Sequence, residues 1–191
     1  MMVKRAFTTI LNVLALTTLV ACGSSGGDNN SPPAPGFSQM KSFAGTEPTM
    51  PNRVNRNGTP SDCVGGKTFP GTFAATVPYQ VFNYQNVGVS QCVTVTLDSG
   101  TCGFGIFITA YTQPFDPTNV ATNYLGDAGV SVAAATSTSF SFMAPANSTV
   151  SLMVSGVTSG VALTCDYTVS SMELTAKIIS PPAGLSATDP Q

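Results

Sequence analysis

An all-β sandwich is the fold class this chain predicts, and three observations carry it. From about Asn52 onward, short β-branched and aromatic runs alternate with clusters of Gly, Pro, Asn, Asp and Ser, the chemistry of strands separated by turns. After the first 21 residues, no ten-residue window combines helical spacing of apolar positions with caps. Charged residues are 8% of the 191-residue chain, against roughly a quarter in an average soluble domain, and Ser, Thr, Gly, Pro and Asn take their place. Hydrophobic residues at 42% suffice for one core, and the length suggests one domain.

The first element is an address. Lys4 and Arg5 form a positive start, Ala6 to Val20 is apolar apart from Thr and Asn, and Leu19-Val20-Ala21-Cys22 closes the run. This pattern resembles the bacterial lipobox, in which the cysteine thiol takes a diacylglyceryl group and cleavage frees an amine that is acylated in turn. The run is short for a membrane span and ends at small residues, as a signal peptide does. Residues 1–21 are therefore expected to be removed, and Cys22 to carry the membrane anchor, because several chains on one cysteine hold a protein stably. Gly23 stands where an Asp would resemble the inner-membrane retention signal, which favours the outer membrane of a bacterial envelope. Removal of Lys4 and Arg5 leaves 5 basic against 9 acidic residues, a net charge of −4. Gly23 to Gly36, GSSGGDNNSPPAPG, has the composition of a flexible linker, and the linker is expected to span 22–51.

The sandwich is expected over 52–177, with a tail at 178–191. Thr72–Thr76 and Tyr79–Asn86 read as strands separated by Pro78. Cys92–Leu97 alternates strictly in β-branched residues, and Asp98-Ser99-Gly100 supplies the turn after it. Phe104–Tyr111 follows, apolar on both faces. After a long polar loop come Ser139–Met143, a turn at Ala144–Asn147, Thr149–Val154, and a last strand over Cys165–Thr175. One inward face from each sheet gives the expected core: Val93, Val95, Leu97, Phe104, Ile106, Ile108, Phe140, Phe142, Leu152, Val154, Tyr167 and Val169.

A resemblance rests on the order of motifs. Arg53, Arg56-Asn57-Gly58, Cys63, Lys67 and Pro70-Gly71-Thr72-Phe73 open it. Cys92 to Leu97, Asn123-Tyr124-Leu125-Gly126-Asp127, Phe140-Ser141-Phe142 and Cys165-Asp166-Tyr167-Thr168-Val169 continue it. Together they look like a cysteine-containing β-sandwich module of bacterial surface and secreted proteins, similar in plan to the pre-peptidase C-terminal domains that trail secreted proteases. The resemblance covers about residues 52–177. It implies a jelly-roll-like antiparallel sandwich and an accessory role without catalysis. Further cysteines expected near Phe69 and Ala121 are missing here.

With Cys22 lipidated, Cys63, Cys92, Cys102 and Cys165 remain, an even number in an oxidising compartment. Cys92 opens a strand and Cys102 lies past its far end, roughly 16 Å away along a five-residue rise, too far for a bridge. If the last strand lies beside Tyr79–Asn86, its first residue falls near the loop before Cys92. That adjacency favours Cys92–Cys165 and leaves Cys63–Cys102.

Absence of histidine excludes a Ser-His-Asp or Cys-His mechanism and any His-ligated metal. Seven basic residues are too few for a phosphate-tracking surface, so no nucleic-acid partner is expected. Asp116, Asn119, Asn123 and Asp127 gather oxygen ligands that would suit Ca²⁺, yet the same residues serve plain turns, and no cofactor is expected. Tyr79, Tyr84, Tyr111, Tyr124 and Tyr167 offer either a sugar-stacking platform or half-buried core phenols; without Trp, the core reading is favoured. Asp62, Asp98, Asp116, Asp127, Asp166 and Glu173 fall mostly in turns and form no recognisable glycosidase pair. The expectation is thus a non-catalytic, membrane-anchored surface lipoprotein serving adhesion, envelope organisation or binding of a protein or glycan partner. A carbohydrate- or calcium-dependent binding module is the alternative.

Overall fold

The computed structural model describes residues 36–176; Cys22, the signal peptide, the first part of the linker and the 178–191 tail lie outside the described residues. Ten strands follow in order: β1 Phe37–Ala44, β2 Thr49–Val54, β3 Thr72–Asn86, β4 Gln91–Asp98, β5 Ile106–Thr112, β6 Tyr124–Asp127, β7 Ser137–Ala144, β8 Ser148–Gly156, β9 Thr164–Ser171 and β10 Thr175–Ala176. One sheet has the order β1-β9-β4-β7 and the other β10-β3-β8-β5-β6, with β2 also on β3; every pairing is antiparallel. Nested pairing of β1 with β9, β3 with β8, β4 with β7 and β5 with β6 makes this a jelly roll. Strands β2 and β10 are additions along β3.

Alternation decides which residues enter the core. In β4, Val93, Val95 and Leu97 are fully buried, while Cys92, Thr94 and Asp98 face out. Phe140 and Phe142 of β7 and Tyr167 and Val169 of β9 are buried likewise. The second sheet answers with Ile106, Ile108, Val150, Leu152 and Val154. Central strands β5 and β8 are buried on both faces, as their near-continuous apolar runs require. Their second face, with Phe107, Tyr111 and Met153, lies away from the sandwich interior and is covered in part by the loop after β5, whose Phe115 ring stands 4.8 Å from that of Tyr111.

Several expectations need correction. Residues 37–51, expected as linker, belong to the sandwich instead, because β1 and β2 occupy most of 37–54. The pattern hid this: Gln39 and Lys41 share the alternate positions of Phe37 and Phe43, where Gln39 Oε1 accepts from Tyr84 Oη at 3.2 Å and Lys41 Nζ lies 4.3 Å from the Phe82 ring centroid. Their polar tips are accommodated at the edge of the core while their stems pack. Pro78 does not divide β3 in two. It stands where β3 changes partner, from Thr49 of β2 to Ser155 of β8 opposite Tyr79. Phe104 is 68% exposed, since Gly105 at φ +81 turns the chain before the strand starts at Ile106. The final strand breaks after Ser171, and its first part pairs with β1 and β4, not with β3.

That last change overturns the expected cysteine pairing. The bridges are Cys63–Cys92 and Cys102–Cys165, not Cys92–Cys165 and Cys63–Cys102. With Asp98 opposite Thr168, the start of β9 runs past the far end of β4 and meets the turn that carries Cys102. The other end of β4 is left for Cys63. Peptide mapping under non-reducing conditions should return these two pairs. Removing Cys102–Cys165 by paired Ala substitution should lower stability by about 2–4 kcal/mol in chemical denaturation, more than removing Cys63–Cys92 by about 0.7 kcal/mol on loop length alone.

Candidate functional site

The long connection between β2 and β3 closes on itself, with Asn55 N–H donating to Gly71 O at 2.9 Å. Such a loop has no strand ladder to hold it, so its polar groups must be satisfied elsewhere. They converge on β6. Lys67 Nζ donates to Asp127 Oδ1 at 2.7 Å, to Asn57 Oδ1 at 2.8 Å and to Thr59 O at 2.5 Å. Three ammonium protons thus meet three acceptors. The side chains are 9% and 0% exposed, the sole ion pair among the described residues.

Asp127 is oriented from several directions. Gly129 N–H donates to Oδ1 at 2.6 Å, and the Tyr124 hydroxyl donates to Oδ2. Ser61 pairs with its backbone in both directions, N–H to Asp127 O at 2.9 Å and Asp127 N–H to Ser61 Oγ at 3.1 Å. Two glycines permit this approach. A Cβ on Gly126 would stand 2.3 Å from Ser61 Oγ, and one on Gly129, already at φ +71, would stand 2.3 Å from the Thr59 carbonyl carbon. Asn57, Lys67 and the Tyr124-Leu125-Gly126-Asp127 run therefore belong to one latch.

The four oxygen-bearing residues considered for Ca²⁺ do not share a site. Asp116 Oδ1 accepts from Thr118 N–H and Oγ1 at 2.8 and 2.7 Å, which holds its carboxyl below the usual range. Asn119 Oδ1 accepts from Ala121 N–H at 3.3 Å, and Asn123 Nδ2 donates to Pro114 O at 2.9 Å. Asp127 is engaged by Lys67. Three are turn residues and the fourth is half of the latch.

The five tyrosines are core and rim residues. Tyr84, Tyr111 and Tyr167 are buried, and Tyr79 and Tyr124 are half-buried. Burial pushes the Tyr84 phenol up to about 12 and raises Tyr111 and Tyr167 further; Tyr124 is raised by burial and by its bond to the Asp127 carboxylate.

A groove of about 580 Å³ runs along β3. Tyr79, Val81 and Asn83 form its floor with Ser151 of β8, and Pro114 and Phe115 form a wall. Here the sheet edge is open. Strand β2 covers β3 up to Pro78 and β10 covers Tyr84 and Gln85, which leaves Tyr79–Asn83 between them. Tyr79 N–H donates outward to Pro48 O at 3.0 Å, so by strand alternation the N–H and C=O of Val81 and Asn83 point outward too. No strand among the described residues takes them. Glu47, the carboxylate on the groove, is resisted by partial burial but still lowered in pKa: its oxygens accept from Ala44 N–H at 2.6 Å, Gly45 N–H at 3.0 Å and Gln80 Nε2 at 3.1 Å. It caps a turn. Sequence reading missed this edge because only the pairing of distant strands exposes it.

Comparison with protein-family models, curated proteins and solved structures finds no match to this chain.

Lys67→Ala strands a buried carboxylate and should destabilise the domain by about 3–5 kcal/mol in denaturant titration. Lys67→Met combined with Asp127→Leu should recover most of that loss. In alkali, the raised phenols set the sign. Their native pKa values exceed the unfolded value near 10, so the stability they contribute is present below about pH 10 and lost as pH rises through the native values. Most of the tyrosinate absorbance should therefore appear together with loss of the fold, not before it.

Proposed function

We propose that the protein is a non-catalytic surface lipoprotein, anchored to the bacterial envelope through Cys22, whose sandwich binds a partner along β3. The open edge between β2 and β10 is the observation that carries this reading. An extended segment of a partner protein can pair with the outward groups of Val81 and Asn83, and the adjoining groove offers Tyr79 and Phe115 to its side chains. Backbone pairing supplies affinity and the groove supplies selectivity. The sequence resemblance to accessory modules trailing secreted proteases supports a role without catalysis, and the turn-capping task of Glu47 agrees with it.

A glycan ligand is the second reading. It draws on the same aromatic rings and on the amides of Asn83 and Gln113 at the groove, the former already accepting from Ser151 Oγ at 2.7 Å.

Val81→Pro separates the two, because it removes one outward N–H while the opposite side of β3 keeps its pairing with β8. Capture of a protein partner from solubilised envelope should weaken about tenfold, the worth of one backbone hydrogen bond. Ser139→Ala, on the other sheet, should change nothing. Binding that survives Val81→Pro, resists protease and falls with Phe115→Ala moves the function to carbohydrate. In the same fractionation, Cys22→Ser should release the protein from membranes.

A further inference from the structure

The latch also has the composition of a reaction centre. Lys67 Nζ lies 2.8 Å from the Asn57 amide oxygen, so Cγ is one bond beyond the contact, and a small shift of the flexible lysine tip from the oxygen onto the amide face sets the amine against Cγ. Asp127 Oδ1 is 2.7 Å from the same nitrogen, and its orientation is fixed by Tyr124 and Gly129. Thr59 N–H donates to Asn57 Oδ1 at 3.3 Å, where charge develops if Cγ becomes tetrahedral. Asn57 faces solvent, which leaves an exit for a small leaving group. Nucleophile, electrophile, proton relay and oxyanion donor are thus held together before any reaction, the condition under which proximity replaces a bimolecular encounter.

We propose that Lys67 and Asn57 join through an intramolecular isopeptide bond, with Lys67 Nζ displacing Nδ2 of the Asn57 amide. Asp127 takes a proton from the Lys67 ammonium, and the neutral amine attacks Asn57 Cγ. The carbonyl oxygen gathers negative charge against Thr59 N–H. Asp127 passes its proton to Nδ2, and the Cγ–Nδ2 bond breaks as the carbonyl re-forms. The second proton lost from Nζ follows the first, so ammonium leaves and the carboxylate is regenerated. One C–N bond forms, one breaks, and no oxidant or reductant is needed. The new amide keeps one N–H for Asp127 Oδ1, so the buried carboxylate retains a donor. The product ties the loop between β2 and β3 covalently beside the Cys63–Cys92 bridge.

Intact-mass measurement of the full mature chain, purified and held at neutral pH, tests this. The expected result is a chain lighter by one ammonia, with a branched peptide joining the Asn57 and Lys67 segments on digestion. Asn57→Ala retains the Lys67–Asp127 pair, so it should fold and show its full mass. Lys67→Arg should also show its full mass. An unaltered wild-type mass overturns the proposal, as does loss of one water, which would mark a Lys67–Asp127 amide. Ammonia loss that persists in Lys67→Arg also overturns it, because Asn57-Gly58 can close on its own backbone as a succinimide without any lysine.

Discussion

One buried ammonium positions the longest unpaired stretch of the domain. Removing Lys67 and Asp127 from water is expensive, and it is offset only because each ammonium proton meets an acceptor and each carboxylate oxygen a donor. In a chain with 8% charged residues, little else can define where an irregular loop sits. Geometry follows from that choice. Because Lys67 reaches β6, Ser61 lies against Asp127 and accepts Ser141 N–H of β7 at 3.0 Å, so the loop touches both sheets. Cys63, two residues on, then meets Cys92 at the head of β4. The disulfide reinforces a position that the ion pair and backbone bonds already specify.

Strand β4 shows how the two bridges divide their work. One end is tied to the loop through Cys92, and the turn beyond the other end is tied to β9 through Cys102 and Cys165. In a jelly roll the last strand returns between the first and the middle ones, so β9 has β1 and β4 as neighbours. A bridge from that turn to β9 therefore joins chain segments that are distant in sequence but adjacent in the sheet. The expected Cys92–Cys165 pair failed for one reason: it placed β9 beside β3, a place that β8 and, at Tyr84 and Gln85, β10 occupy.

Legibility tracked how far each signal depends on distant residues. Strands β4 and β7 were readable because Val93, Val95 and Leu97, like Phe140 and Phe142, alternate with hydroxyl residues that face water. Strand β1 was not, because inward Gln39 and Lys41 break the alternation and find partners only on β3. Phe104 misled for the opposite reason: it is aromatic and adjoins a strand, yet a glycine with positive φ turns it outward. The latch was half legible. Lys67, Asn57 and the Gly126-Asp127 pair stood out as motifs, but Asp127 also fitted a turn or a calcium loop. Its true partner lies 60 residues away.

An exposed edge ordinarily invites indiscriminate sheet growth, so the open part of β3 needs a reason not to aggregate. Its length supplies one. Strands β2 and β10 flank it closely, and a long edge from another sheet would collide with one of them before pairing fully. Pro48 and Pro78 bound it on one side, and neither can donate a ladder hydrogen bond. Lys41 over Phe82 sets a positive charge nearby, a further deterrent to stacking of like edges. On the proposed reading, what remains accessible would take a short extended segment, with the Pro114–Phe115 wall beside it as the source of selection by shape. The same features that guard the edge against other sheets thus leave room for no more than one short strand.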